Sequence, residues 1–203
     1  MILLAHIGKN LAIPAFERLS HVRPTDEDER RAITRRLMHH ENIAIEDRFA
    51  GLLVLLYAQH LTVVSHLPIT AVIIKGPQTS LLLGTTPLLL PDPLNRLARK
   101  LLARQRGHTT IGTSSDSPWL FPGAFAGQPL SSYHLGTRLK RLGIYSRPGR
   151  TSALMGLSTQ LPAAVLTELL GLSAETATAW TQTGGNWARN AAELHDRPHP
   201  RIH

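Results

Sequence analysis

The chain has 203 residues, a hydrophobic fraction of 42% and a formal net charge of +8, with a pI of about 10.8. That length holds one domain with a sizeable core, or a domain with a short arm, and the apolar content excludes a disordered chain. The charge favours a polyanionic partner, nucleic acid before an anionic membrane surface, and the absence of cysteine excludes disulfides, thiol catalysis and zinc–cysteine sites and fits a reducing cytoplasm.

Eighteen of the 22 basic residues are Arg, whose forked donors grip phosphate bidentately. Residues 1–24 read as an N-terminal arm or linker remnant. Their apolar start is interrupted by Lys9-Asn10 and Pro14, and they lack the charged leader and small-residue cleavage site of a signal peptide. A domain is expected over 25–192 and a disordered tail over 193–203. Thr25 reads as the N-cap of a helix to about residue 40, with Asp26 to Glu29 at its positive end and Arg30 to His40 toward its negative end.

Arg48 to Ala58 is apolar on nearly every side, the pattern of a helix buried at the centre of a domain. Phe49 to Ala58 is the longest apolar run and is too short to span a bilayer, so no membrane partner is expected. Three short apolar runs follow, Ala71–Lys75, Ser80–Gly84 and Pro87–Pro91, bounded by Gly, Pro and Thr. They predict an antiparallel three-stranded meander. Pro93 suits the first turn of a helix with Leu94, Leu97, Leu101 and Leu102 on one side and Arg96, Arg99, Lys100, Arg104 and Arg106 on the other.

Residues 107–130 read as loop around Trp119-Leu-Phe-Pro122. Ser131 or Ser132 caps a basic helix that Gly143 ends. Ser146 to Arg150 reads as a Pro/Gly/Arg loop before helices at 151–159, 162–170 (closed by Gly171) and 174–191. The fold class is therefore mainly α with a small antiparallel three-stranded sheet (α+β).

This order of elements resembles the catalytic domain of the tyrosine recombinases (phage integrases) over residues 26 to about 190. Local strings carry the resemblance too. Leu56-Tyr-Ala-Gln-His-Leu-Thr62 is similar to the family's "LYATGLR", and Trp119-Leu-Phe-Pro122 to its "LFP". Leu169-Leu-Gly-Leu-Ser173 is similar to "LLGHS", and Ala177-Thr-Ala-Trp180 stands where "TxxY" would lie. The resemblance implies a DNA-binding fold in which a Tyr attacks the scissile phosphate, two Arg clamp its oxygens, and Lys and His move protons.

Most of those residues are missing here. The first Arg falls on Thr62, and the Lys near Gly84-Thr85, with Lys75 one strand too early. The His-x-x-Arg box falls on Arg147-Pro-Gly-Arg150, so Arg150 matches the second Arg and Arg147 replaces the His. The next His falls on Leu172 and the nucleophile on Trp180, whose indole has no attacking oxygen. Tyr133 and Tyr145 lie outside the helical tail where the family keeps its nucleophile. The resemblance thus implies a degenerate member, with Thr62, Arg150, Leu172 and Trp180 at former catalytic positions and no catalytic residue.

Ten Lys and Arg against one acid lie between Pro93 and Arg150, either a solvated basic face or a phosphate-gripping surface. Read as the latter, it makes Arg138, Lys140, Arg141, Arg147 and Arg150 the first DNA contacts and Arg99, Lys100 and Arg104 the second. The expected protein is cytoplasmic and nucleoid-associated. Its partner is duplex DNA, with itself or a related recombinase-like chain as a further one. No cofactor or metal is expected. His39-His40 are adjacent and point apart on a helix, His60 and His66 have no ligand spacing, and Pro198 and Pro200 break up His195, His199 and His203. Ser114-Ser-Asp116 makes no triad, and Gly184-Gly185 is not followed by the Lys-Ser/Thr of a phosphate loop.

Two rivals remain open. One is an active recombinase fragment, complete in itself or complemented by a partner chain. The other is a protein–protein interaction module, in which the last helix, with Trp180 and Trp187 on one face, docks on another subunit. Active family members normally carry a further N-terminal domain that this length cannot contain.

Overall fold

In the computed structural model residues 24–107 and 117–195 are described, all but 106, 107 and 185–195 with their side chains. Expectations placed on residues 1–23, Ser114 to Asp116 and 196–203, and on the Arg106 and Trp187 side chains, lie outside the described residues. The order is α1 (Glu27–His39), α2 (Ile45–Tyr57), α3 (Leu61–Ser65), a 3-10 turn (Ile69–Ala71), β1 (Val72–Lys75), β2 (Gln78–Leu81), β3 (Leu88–Leu89), α4 (Leu94–Gly107), α5 (Ser132–Arg141), α6 (Ser146–Gln160), α7 (Ala163–Leu170) and α8 (Ala174–His195).

Helix α1 begins one residue later than its hydroxyl signal suggested. Asp26, not Thr25, is the cap: its carboxylate accepts from the backbone N–H of Asp28 at 3.0 Å and of Glu29 at 3.3 Å. Helix α2 is the central post, with every residue from Arg48 to Leu55 buried, and it packs against α1, α4, α5 and α6. Its one buried cation, Arg48, has a structural duty. Nε donates to Leu37 O and Nη2 to Met38 O, both at 2.6 Å. The guanidinium thereby satisfies carbonyls at the end of α1 that the helix itself leaves unpaired.

The sheet is the expected antiparallel meander in the order β1-β2-β3, with Val72 opposite Leu81 and Ser80 opposite Leu89. Strand β2 runs earlier than its apolar run, ending at Leu81. Beyond it the chain leaves the ladder to lie on α7, where Thr85 N and Thr86 N both donate to Glu168 O. Strand β3 keeps two residues between Pro87 and Pro91, which have no N–H to give a ladder.

Two further corrections concern helix ends. Ser146 to Arg150 is not a loop but the first turn and a half of α6. Pro148 is its third residue, where the missing N–H costs nothing. Helix α8 runs to His195, taking Glu193, Leu194 and His195 from the expected tail. The short helix α3 carries no periodic signal in five residues, and the sequence did not reveal it.

The core has two parts. One gathers α1, α2, α4, α5 and the sheet around Phe49, Leu53, Leu101, Phe121 and Leu139. The other gathers α6, α7 and α8 around Leu154, Leu166, Leu170 and Trp180. Tyr57 and Leu83 pack against both. Among the described residues no helix is long and apolar enough to cross a membrane.

Candidate functional site

The site is built where α2 stops. Ala58 ends that helix in the left-handed conformation, φ +55°, which is unfavourable for a residue with a Cβ and needs external support. Arg150 supplies it from α6, its Nε donating to Ala58 O at 2.8 Å. Gln59, buried beside it, donates to Tyr57 O and Leu170 O, both at 3.0 Å. The turn so fixed presents His60 and Thr62 to solvent at the start of α3.

Opposite them lie the first turns of α5 and α6. The three segments enclose a cleft of about 570 Å³ whose lining includes His60, Thr62, Tyr133, Arg147 and Arg150. A second hollow of about 650 Å³ shares Tyr133 and Arg147 and extends past Tyr145 to Lys140, so the two form one groove. Among the described residues no Asp or Glu lines either part. Neither α5 nor α6 has a side chain capping its first N–H groups, and both present the positive end of the helix dipole here. Such a lining suits an anion.

The sequence-predicted contacts fall into three groups. Lys140, Arg141 and Arg147 are exposed and make no ion pair or side-chain hydrogen bond among the described residues. Arg150 is half-buried, and burial draws its basicity down without neutralising a guanidinium. Arg138 is held by Asp47 at 2.8 Å. Burial outweighs the pull of Arg138 on Asp47, whose carboxyl sits above its ordinary range.

The α4 residues are committed to the chain's own groups. Lys100 meets Glu41 at 3.5 Å and Arg104 meets Glu46 at 3.4 Å. Arg99 is a tie between α4 and the sheet: Nε donates to Thr79 Oγ1 at 2.9 Å and to Asn95 Oδ1, and Nη2 to Gly76 O. Apart from Asn95, four residues back on the same helix, these partners are distant in sequence, so no local pattern announced them.

The positions that the resemblance assigns to catalysis separate. Thr62 and Arg150 line the cleft together with Arg147. Leu172 and Trp180 do not: they are 8% and 3% exposed in the α6–α8 core. Trp180 faces a small cavity of about 200 Å³ with Met155 and Gly184. Lys75 ends β1 and is not among the residues lining the cleft. At Gly84 there is no room for a side chain, since a Cβ would stand 2.2 Å from Glu168 O. His60 is held below its ordinary pKa by burial first and by the charge of Arg150 second, so it is neutral at pH 7. Among the described residues no cluster of three or more His, Asp or Glu is placed to hold a metal ion.

One site residue escaped the sequence reading. Tyr133, outside the helical tail where the resemblance places a nucleophile, stands in the groove with Arg147 and Arg150. Its signal was the basic helix α5 itself, whose first turn faces the same way as the start of α6.

The fold matches solved structures. XerA recombinase superposes with a TM-score of 0.59 at 12% identity, over 87% of this chain and 66% of that one. XerH site-specific recombinase, in a post-cleavage complex with palindromic difH substrate, gives 0.58 at 13% identity, over 87% of this chain and 54% of that one. Its pre-cleavage complex with difH gives 0.54 at 12%, over 78% and 49%. The chain has a tyrosine recombinase-like fold. It spans about half to two thirds of the length of the recombinases it matches. No model of a known protein family matches it, and no curated protein does. Within this recombinase-like fold the mainly α architecture with its small antiparallel sheet is as the sequence implied.

Proposed function

We propose that the chain binds duplex DNA through the groove between α3, α5 and α6, and neither cuts nor joins it. One observation carries the reading: an acid-free groove in a recombinase-like fold, with Arg147 and Lys140 in its lining and Arg141 beside them, all unpartnered among the described residues. Phosphate oxygens are the partner that forked and pointed cations of this kind take. Arg150 adds a fourth positive charge from within, while Arg138 is paired with Asp47. Arg99, Lys100 and Arg104 contribute more distant charge. The loss of chemistry is supported by what stands at the former catalytic positions. Thr62 carries no charge, and Leu172 and Trp180 carry no proton-transferring or attacking group. On this reading the chain is nucleoid-associated in the cytoplasm.

The test is fluorescence anisotropy with a labelled random duplex of about 30 base pairs over a range of salt. A dissociation constant of about 10⁻⁴ to 10⁻⁶ M is expected, weakening steeply and log-linearly with salt. No binding at low salt overturns the proposal.

A second reading, strand cleavage, is favoured by the presence of Tyr133 in the same cleft as Arg147 and Arg150. It requires a phosphotyrosyl link: the phenol oxygen bonds to phosphorus and the departing 5′ oxygen takes a proton. A nicked suicide substrate tests it. The expected result is no denaturant-resistant protein–DNA adduct. An adduct that disappears in Tyr133→Phe would replace the first reading with this one.

A further inference from the structure

The groove carries aromatic rings as well as charge. Tyr133 is 76% exposed and Tyr145 is 55% exposed. Both line the stretch of groove that holds Arg147 and Lys140. The adjacent His134 ring is tilted at 59° to Tyr133 with centroids 5.8 Å apart, and the phenol stays largely uncovered. The lining thus mixes rings and cations: Tyr133 with Arg147 and Arg150 in one part, and Tyr133 and Tyr145 with Arg147 and Lys140 in the other.

A large aromatic surface left in water forgoes the free energy its burial would give. Two such surfaces, set among unpartnered cations in an acid-free channel, fit a ligand that alternates planar faces with negative charge. A single-stranded stretch of nucleic acid does so, with bases to stack and phosphates between them. An intact duplex does not, because its base faces are covered by one another and only edges and phosphates are presented.

From this we infer that the groove accepts unpaired nucleotides. Tyr133 and Tyr145 serve as stacking platforms and Arg147 and Lys140 hold the intervening phosphates, so the favoured substrate is duplex DNA interrupted by a single-stranded stretch. The inference rests on the DNA-binding reading and deepens it.

Anisotropy with three labelled probes tests it: an intact 30-base-pair duplex, the same duplex with an internal gap of six unpaired thymidines, and single-stranded oligothymidine of 30 nucleotides. All are measured at one salt concentration. The gapped probe is expected to bind at least tenfold more tightly than the intact duplex. Tyr133→Ala should weaken gapped-probe binding by about 5- to 150-fold, the range for losing one stacked base, and so reduce the ratio of gapped-probe to intact-duplex affinity toward one. Tyr145→Ala should act in the same direction. Tyr133→Phe should keep the preference, because stacking needs the ring and not the hydroxyl. Both residues are exposed, so these variants fold as the parent does. Equal affinity for gapped and intact duplex overturns the inference and leaves the DNA-binding reading standing. So does a preference that survives Tyr133→Ala. Failure to bind any of the three probes overturns both.

Discussion

Gly84→Ala is expected to lower the stability of the fold by about 3 kcal/mol, in the upper range for a single substitution. The reason is a backbone-to-backbone contact. A Cβ at Gly84 would stand 2.2 Å from Glu168 O and 2.8 Å from Gly171 N. Neither is the end of a flexible side chain, so the β2–β3 loop and the end of α7 must separate. Gly171 is locked into the same contact, with φ +68° and only 2.5 Å between its own notional Cβ and Leu83 O. Separation breaks the bonds from Thr85 N and Thr86 N to Glu168 O, at 2.9 and 3.0 Å, each worth about 1 kcal/mol. It also pulls on Leu83, which packs against both parts of the core. Urea unfolding reads the result as a lower midpoint at unchanged slope. Thr85→Ala, at an exposed side chain, should stay within about 0.5 kcal/mol of the parent. A Gly84→Ala protein as stable as the parent would mean that the loop does not rest on α7. The result also bears on function. The loop position at Gly84 is given over to packing, so no side chain, Lys included, can be placed there without dismantling the contact.

The parts of this fold legible in sequence are those set by local pattern. The run from Phe49 to Ala58 is too uniformly apolar to be anything but interior, and α2 is interior. Leu94, Leu97, Leu101 and Leu102 share a face, and all four are buried. Gly171 closes α7 in the left-handed conformation, as a glycine after a leucine-rich turn does. What the pattern misread was decided by contacts made at long range. Ser146-Arg-Pro-Gly-Arg150 has loop composition, but Gly149 is needed because α6 crosses α2 there, its notional Cβ 2.8 Å from Leu55 Cδ2. A proline in a first turn is compatible with that helix. Strand β2 stops short of Gly84 because the glycine serves α7 rather than the sheet.

The site divides the same way. Arg147 and Arg150 could be placed by resemblance, and they do line one cleft with Thr62. That Arg150 also props the turn at Ala58, and that α4 and Arg138 spend their charge on Glu41, Glu46 and Asp47, depends on partners about 60 to 90 residues away in sequence. Charge counting along the chain weighs ten cations alike. Packing sorts them into those already answered and those left over.

That sorting gives the second large effect. Removing Lys140, Arg141 and Arg147 together, each to Ala, should weaken duplex binding on the order of 500-fold at 0.1 M salt. The figure follows from a salt slope of about 0.9 per phosphate neutralised, which makes each contact worth about eightfold between 0.1 and 1 M salt. The slope of log affinity against log salt should flatten by about 2.7 in the same experiment. The control removes equal charge from elsewhere: Arg96, Lys100 and Arg104 to Ala on α4. Those three sit within 3.9 Å, 3.5 Å and 3.4 Å of Asp92, Glu41 and Glu46. Binding DNA there would mean giving up a partner already present; the Arg96 and Lys100 pairs are exposed and contribute little to stability in either direction, while Arg104 also answers the largely buried Glu46. The α4 variant should therefore lose less than about tenfold, roughly the value of one phosphate contact. The two variants carry the same net charge, so long-range attraction to a polyanion is equal for both. A difference of one to two orders of magnitude between them locates the duplex at the α5–α6 groove. Equal losses would mean that the chain attracts DNA only as a diffusely basic body, and that the groove has no particular share in it.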